Sequence, residues 1–295
     1  MAAAAAATRL ARRCAATGAA SASFRTGAAL RAACRTGSFR GQTAGQAPGH
    51  VQANLVILPR QHAADFEQFC AANAAPCPLL EVTAPGQYEA ARLAPGSDLR
   101  RDLPKYRVWQ DGELKEERDD VADLWDDSMQ AFLIGCSFTW EDLLAAAGLT
   151  PRHVEEGKNV PMFDTSIDLK GVGPFGGRMV VSMRPYMPEE VQAVRDLTAA
   201  YPAAHGAPVH VGAPGEIGVR DLRAPDYGEA VEVRPGEVPV FWACGVTPAN
   251  ALKQARLPLA ITHAPGHMFV ADTTNEALKS WKVPGNWSAR PTAVE

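Results

Sequence analysis

The sequence predicts an α/β protein, a mixed sheet with flanking helices arranged as two interleaved lobes. Short apolar, β-branched runs alternate with segments of helical apolar spacing through the second half of the chain. Proline and acids open helical segments, as in Pro188-Glu-Glu-Val. Two apolar runs also end in reactive side-chain types, at Cys244-Gly245 and at the turn carrying His263 and His267. In open sheets the ligand crevice lies at the carboxyl ends of strands, so these ends are the expected place for a small-molecule site.

The elements follow in order. Thr36–Gly49 is glycine-rich and polar, and reads as an irregular loop that wraps onto the body. Val51–Leu58 reads as a strand ended by Pro59. Ala63–Ala74 and Gln87–Leu93 carry helical spacing. Tyr106 and Val108 alternate ahead of Asp111-Gly112, which predicts an exposed hairpin. Val121–Gly135 shows a 3.6-residue period through Leu124, Met129, Phe132 and Leu133 and reads as a helix, followed by another over Thr139–Ala147 closed by Gly148. Strands are expected at Met179–Met183, Pro208–Gly212, Val238–Cys244 and Leu259–His263, with helices at Pro188–Ala200 and Pro248–Ala255. No internal repeat is evident.

Composition narrows the class. With 295 residues, 46% hydrophobic and 21% charged, the chain matches an ordinary globular protein. No apolar run is long enough to span a bilayer, and a net charge of −4 gives no basis for a nucleic-acid partner. No Asp or Glu precedes Asp65, whereas Arg9, Arg12, Arg13, Arg25, Arg31, Arg35 and Arg40 do. Residues 1–28 therefore read as a leader with transit-peptide composition, implying the mitochondrial matrix, or the cytoplasm if the segment is only an extension. The main domain is expected over 29–275, with a tail over 276–295. Six cysteines show no paired spacing, which favours reduced thiols.

Several residues could carry chemistry. Cys136 and Ser137 lie at a junction before a helix, whose N-terminus binds anions and lowers a thiol pKa; Glu141 in the first turn is an acid/base or a cap. Cys244 and Gly245 repeat that setting before Thr247-Pro248. His263 and His267 are four apart, but Pro265-Gly266 between them rules out a helical metal motif, so no metal is expected. His210 is an acid/base or a core histidine. Arg184 at a strand end could hold a carboxylate bidentately. Gly171–Gly176 matches a dinucleotide fingerprint only by letter, and no nucleotide cofactor is expected.

In order, the segments Gly41–Leu55, Cys136-Ser-Phe-Thr-Trp-Glu141, Lys158-Asn-Val-Pro-Met162, Met179–Pro185, His205–His210, Val238–Pro248 and Thr262–His267 resemble the D-glutamate cyclase family, whose bacterial members carry hydro-lyase names. The resemblance runs from about Ala29 to Asp272. It implies conversion of D-glutamate to 5-oxo-D-proline with loss of water, a two-lobed α/β fold and a small carboxylate substrate; the alternatives are a hydro-lyase acting on another small amino or hydroxy acid and a non-catalytic small-ligand-binding protein of the same fold. Taken with the chemistry above, Cys136, Glu141, His210, Cys244, His263 and His267 are the expected catalytic residues, and Ser137, Asn159, Arg184 and Gly245 the expected substrate contacts, with a homo-oligomer possible and no cofactor. The chain departs from the family pattern at Phe163-Asp164, where a tyrosine and a base are usual, and at Ser166 and Gly177-Arg178.

Overall fold

The computed structural model describes residues 24–282. Most of the expected leader, with Cys14, lies outside the described residues, as does most of the expected tail. The described part opens with helix α1 (Gly27–Arg35), where the Thr26 hydroxyl accepts from the Ala29 N–H at 3.2 Å. The expected boundary after residue 28 falls within this helix. Buried Arg31 fixes α1 by donating to the Val270 carbonyl and to Asp272, both at 2.7 Å, and Arg35 pairs with buried Asp102.

The next elements are β1 (His50–Pro59), α2 (Ala63–Ala72), β2 (Leu79–Val82), the hairpin β3 (Tyr106–Gln110) and β4 (Glu113–Arg118), and β5 (Met129–Gly135). Then come α3 (Phe138–Ala146), α4 (Arg152–Glu156), β6 (Met162–Asp168), β7 (Arg178–Tyr186), α5 (Val191–Ala199), β8 (His210–Val211) and β9 (Val238–Ala243). The described chain closes with α6 (Thr247–Ala255), β10 (Ala260–His263), β11 (Phe269–Thr274) and α7 (Asn275–Leu278). A 7-stranded sheet runs β2-β5-β1-β10-β3-β4 with β11 also on β1, and a 4-stranded sheet runs β6-β7-β9-β8. The chain leaves the first sheet, builds the second and returns, which is the expected interleaving within the α/β class.

Three expectations change. The strand pairs are antiparallel in both sheets, not mixed, so the crevice rule of parallel sheets does not place the site. The expected helix over Val121–Gly135 is a short 3-10 turn at Ala122–Leu124 followed by β5, which pairs with β1 from Ala53–Gly135 to Pro59–Met129. Ala131–Gly135 is buried on both faces, and a run that is apolar on every side carries no period to read. Gln87–Leu93 forms no helix because its amides are taken by side chains. Ala90 N–H donates to Ser97 Oγ at 3.0 Å, and the N–H groups of Arg92 and Leu93 donate to the Glu81 carboxylate, each at 2.9 Å.

The units β1-α2-β2-β5-α3 and β7-α5-β8-β9-α6 share one plan, a repeat hidden at the level of identity. Sheet order β2-β5-β1-β10 matches β8-β9-β7-β6. In each unit the strand leading to the cysteine pairs with the first strand just before that cysteine, Gly135 with Ala53 and Ala243 with Val181.

Gly135 closes β5 where the chain leaves room for nothing larger. A Cβ there would overlap the Ala203 carbonyl oxygen, a backbone atom of the segment whose next carbonyl, Ala204, accepts from Trp140 Nε1 at 2.8 Å. Gly135→Ala should therefore destabilise the protein by about 1–3 kcal/mol, read as a lower midpoint in urea denaturation. An unchanged midpoint would contradict this packing.

Candidate active site

The strongest internal electrostatic feature joins the two sheets. Arg184 on β7 is fully buried, and its guanidinium donates from Nε (3.2 Å) and Nη2 (2.5 Å) to Glu141 Oε1 on α3. Nη1 donates to Ser182 Oγ and Nη2 to Ser137 Oγ, both at 3.0 Å. The Trp140 and Trp242 rings, packed on each other with centroids 5.4 Å apart, both lie against the cation, 4.7 and 5.4 Å from its central carbon. Arg184 is thus spent on protein side chains and holds Glu141, in place of the substrate carboxylate expected of it.

Glu141 opens onto a cavity of about 240 Å³ whose walls include Gln46, His50, Gln52, His153 and Lys158. That is below the roughly 300–1,000 Å³ typical of drug-sized ligands and suits a small metabolite. The expected loop supplies one wall. Thr43 N–H donates to the Gly266 carbonyl at 2.8 Å, tying residues 41–49 to the turn after β10, and Gln52 Nε2 donates to the Thr43 carbonyl at 2.9 Å.

Two residues on the cavity wall hold buried polar atoms without a well-aligned hydrogen bond, Gln52 at Oε1 and His153 at Nδ1. Buried polar atoms are nearly always satisfied, so such atoms beside a cavity point to a ligand partner. His153 Nε2 stands 3.1 Å from Glu141 Oε1, at ion-pair distance, and its ring stacks near Phe138 with centroids 6.5 Å apart. Burial alone would raise the Glu141 pKa, but the charges of His153 and Arg184 outweigh it and bring it to about 2. Glu141 is therefore a carboxylate at neutral pH. It offers charge and orientation, not a proton.

The other expected residues do not gather at this cavity. Cys136 and Cys244 pack with Phe138 and Val246 in one apolar cluster. Backbone N–H groups reach both sulfurs, yet burial dominates and pushes the thiols up to about 12 and about 11. The pKa lowering expected from the helix starts is overridden, and both stay protonated. Gly245 has no room for a side chain because Asn54 packs against it. Asn159 is buried, its N–H donates to Glu229 Oε2 at 3.0 Å, and its Oδ1 is unpaired. His210 on β8 lies against the Ala213 carbonyl at 2.9 Å and beside the Phe241 ring, away from the cavity lining. His263 lines a separate depression, its pKa lowered by burial to about 4, and His267 Nδ1 meets the Pro265 carbonyl at 2.9 Å. Among the described residues no cluster of three or more His, Cys, Asp or Glu could hold a metal ion.

Sequence reasoning missed His153, Gln52 and Ser182. His153 follows Pro151 in a short, charged helix and belongs to no spaced motif, so only the fold reveals its partner.

The sequence pattern of the family described as D-glutamate cyclase matches residues 130–272, which hold Glu141, His153 and Arg184. A protein named "Putative hydro-lyase" from Rubrobacter xylanophilus is 56% identical over 245 residues, covering 83% of this chain and 95% of its own length. The chain belongs to the D-glutamate cyclase family. Proteins of the same name from Stutzerimonas stutzeri (53% identical over 251 residues, 85% of this chain and 95% of theirs) and Jannaschia sp. (51% over 250, 85% and 94%) support membership and a hydro-lyase activity. A nitrogen repressor-like protein from Methanococcus jannaschii aligns with 85% of this chain and 99% of its own at a TM-score of 0.33 and 8% identity, too slight a likeness to bear on the fold.

The lowered Glu141 pKa fixes a stability window. Because its folded value is about 2 against an ordinary 4.5, the pair's contribution is complete above about pH 4.5 and is lost as pH falls toward 2. The shift corresponds to roughly 3 kcal/mol. In urea denaturation Glu141→Gln should be clearly less stable than wild type at pH 6, and the gap should narrow by pH 3. A gap independent of pH would show that the carboxylate charge is not what stabilises the site.

Proposed function

We propose that this hydro-lyase cyclises D-glutamate to 5-oxo-D-proline in the cavity beside Glu141 and His153. The observation that supports the reading is a buried imidazole paired at 3.1 Å with an ionised carboxylate on the wall of a cavity of metabolite size. Lactam formation needs a group that takes a proton from the substrate ammonium and returns it to the departing oxygen. His153 takes one ammonium proton, and the carboxylate of Glu141 stabilises the resulting imidazolium. The freed amine forms the C–N bond to the γ-carboxyl carbon. The proton on His153 and a second proton released from nitrogen then leave on one carboxyl oxygen as water, which leaves the lactam carbonyl and a single N–H.

Gln52 Oε1 has no partner and could accept from the ammonium, and Lys158 on the cavity wall would reach a substrate carboxylate only by exchanging Glu156, which its Nζ meets at 2.7 Å. Arg184 acts through Glu141. The departure at Asp164 does not weaken this reading, because Asp164 bonds Asn250 at 2.8 Å and does not line the cavity. Delivery to the mitochondrial matrix rests on the acid-free leader alone, and the bacterial relatives add nothing to it.

Purified protein incubated with D-glutamate should yield 5-oxoproline, followed by mass spectrometry as the loss of one water. His153→Asn should lower kcat by on the order of 10²-fold while the protein stays folded. Folded wild-type protein that makes no product at high enzyme concentration would refute the substrate, and full activity in His153→Asn would refute the proton carrier.

A further inference from the structure

The two strand-to-helix junctions are built alike down to single atoms. Thr139 Oγ1 lies 3.3 Å from the backbone nitrogen and 3.4 Å from the carbonyl oxygen of Gln52. Thr247 Oγ1 makes the same pair of contacts with Val180, at 3.0 and 3.3 Å. The N–H groups of Thr139 and Thr247 donate to the carbonyls of Cys136 and Cys244 at 3.1 and 3.0 Å. Both cysteines share one cluster with Phe138 and Val246, so the two copies meet there.

Equal spacing from Thr139 and Thr247 sets Phe138 against Val246, Glu141 against Ala249, Asp142 against Asn250 and Ala145 against Lys253. The first of each pair lines the candidate active site. The second of each pair lines the depression that holds His263, together with Trp109 and Tyr227. The depression is the counterpart of the active-site cavity. The strand positions agree, since Val56 stands on β1 where Arg184 stands on β7. Loss of both Arg184 and Glu141 at once leaves neither charge buried alone, which a single loss would do at a cost of about 3–5 kcal/mol.

What replaces them is a set of donors. Lys253 forms no ion pair among the described residues; its Nζ donates to Tyr227 Oη at 3.1 Å and lies 5.8 Å from the centre of the Trp109 ring. His263 Nδ1 stands 3.3 Å from the Leu55 amide nitrogen and 3.4 Å from the Leu55 carbonyl. An amide always carries its hydrogen, so Nδ1 accepts it and the imidazole proton sits on Nε2. Of the nearby acids, Asp164 accepts from Asn250 at 2.8 Å and lies within electrostatic reach of both Lys253 and Asp226, Asp226 accepts from the Asp164 N–H at 2.8 Å, and Glu117 holds Arg107 at 2.9 Å.

We propose that this depression is a second binding site, separate from the candidate active site, that takes the carboxylate of a small anionic metabolite between Lys253 and His263 with its body against Trp109 and Tyr227. Its enclosed space of about 20 Å³ holds little more than one water-sized group, so a carboxylate enters and the remainder of the ligand stays at the mouth. This inference does not depend on D-glutamate being the substrate.

Glutarate, a dicarboxylate without an amine and so unable to cyclise, is a suitable probe of the full-length protein. Trp109 Nε1 donates to Thr262 Oγ1 at 3.0 Å inside the depression, so its indole NMR signal, assigned with Trp109→Phe, reports on this site. The signal should shift saturably with glutarate, and Lys253→Met should weaken that response at least tenfold. His153→Asn should leave it unchanged. No shift at Trp109, or equal affinity in wild type and Lys253→Met, would overturn the second site whatever the outcome of the D-glutamate assay.

Discussion

The guanidinium of Arg184, fully buried against two indole rings, is the constraint around which the site is arranged. A buried cation is tolerated only with a counter-charge and with its donors satisfied. Those partners come from separate elements: Glu141 and Ser137 from the end of the first repeat, Ser182 from the second. The requirement to neutralise one side chain therefore docks α3 against β7, and so one sheet against the other. It also drives the Glu141 pKa to about 2, so that a buried carboxylate remains charged beside a cavity. Stability and chemistry draw on the same pair.

Duplication explains why the arrangement is possible. A strand that ends in a cysteine, a threonine bonded back to the neighbouring strand, and a helix form a unit that can be built twice and joined along its apolar end. The thiols serve this joint. Cys136 and Cys244 lie where the copies meet, and their burial keeps them protonated and apolar in character. The copies then diverge one turn into their helices, where Glu141 faces a cavity and Ala249 faces the depression. Charge in one and donors in the other give the halves different tasks within one backbone plan.

Much of this was legible in the sequence, and the misses have physical causes. Alternation marks β3, and the proline-acid start marks α5, because each of these elements has a wetter and a drier face. β5 was read as a helix because it is dry on both sides, and a uniform run has no period. Gln87–Leu93 kept helical spacing but lost its helix to Glu81 and Ser97, partners that no local pattern announces. At the site, Glu141 and Arg184 were visible as chemistry, but their mutual distance was not, and so Arg184 was cast as a substrate anchor. His153 left no signal at all, since its meaning lies wholly in standing 3.1 Å from Glu141.

Proton economy singles out His153 among these groups. A group that both takes and returns a proton during turnover must change state near working pH. Glu141, at about 2, does not release its charge, and the thiols at about 12 and about 11 do not release their protons. His263, at about 4, stays neutral and faces the other depression. His153 combines a place on the cavity wall with a fixed negative charge 3.1 Å from its Nε2. In the proposed cyclisation the carboxylate beside it serves as a permanent anion, because an imidazolium formed there would meet a counter-charge already in place, with no reorganisation at that step.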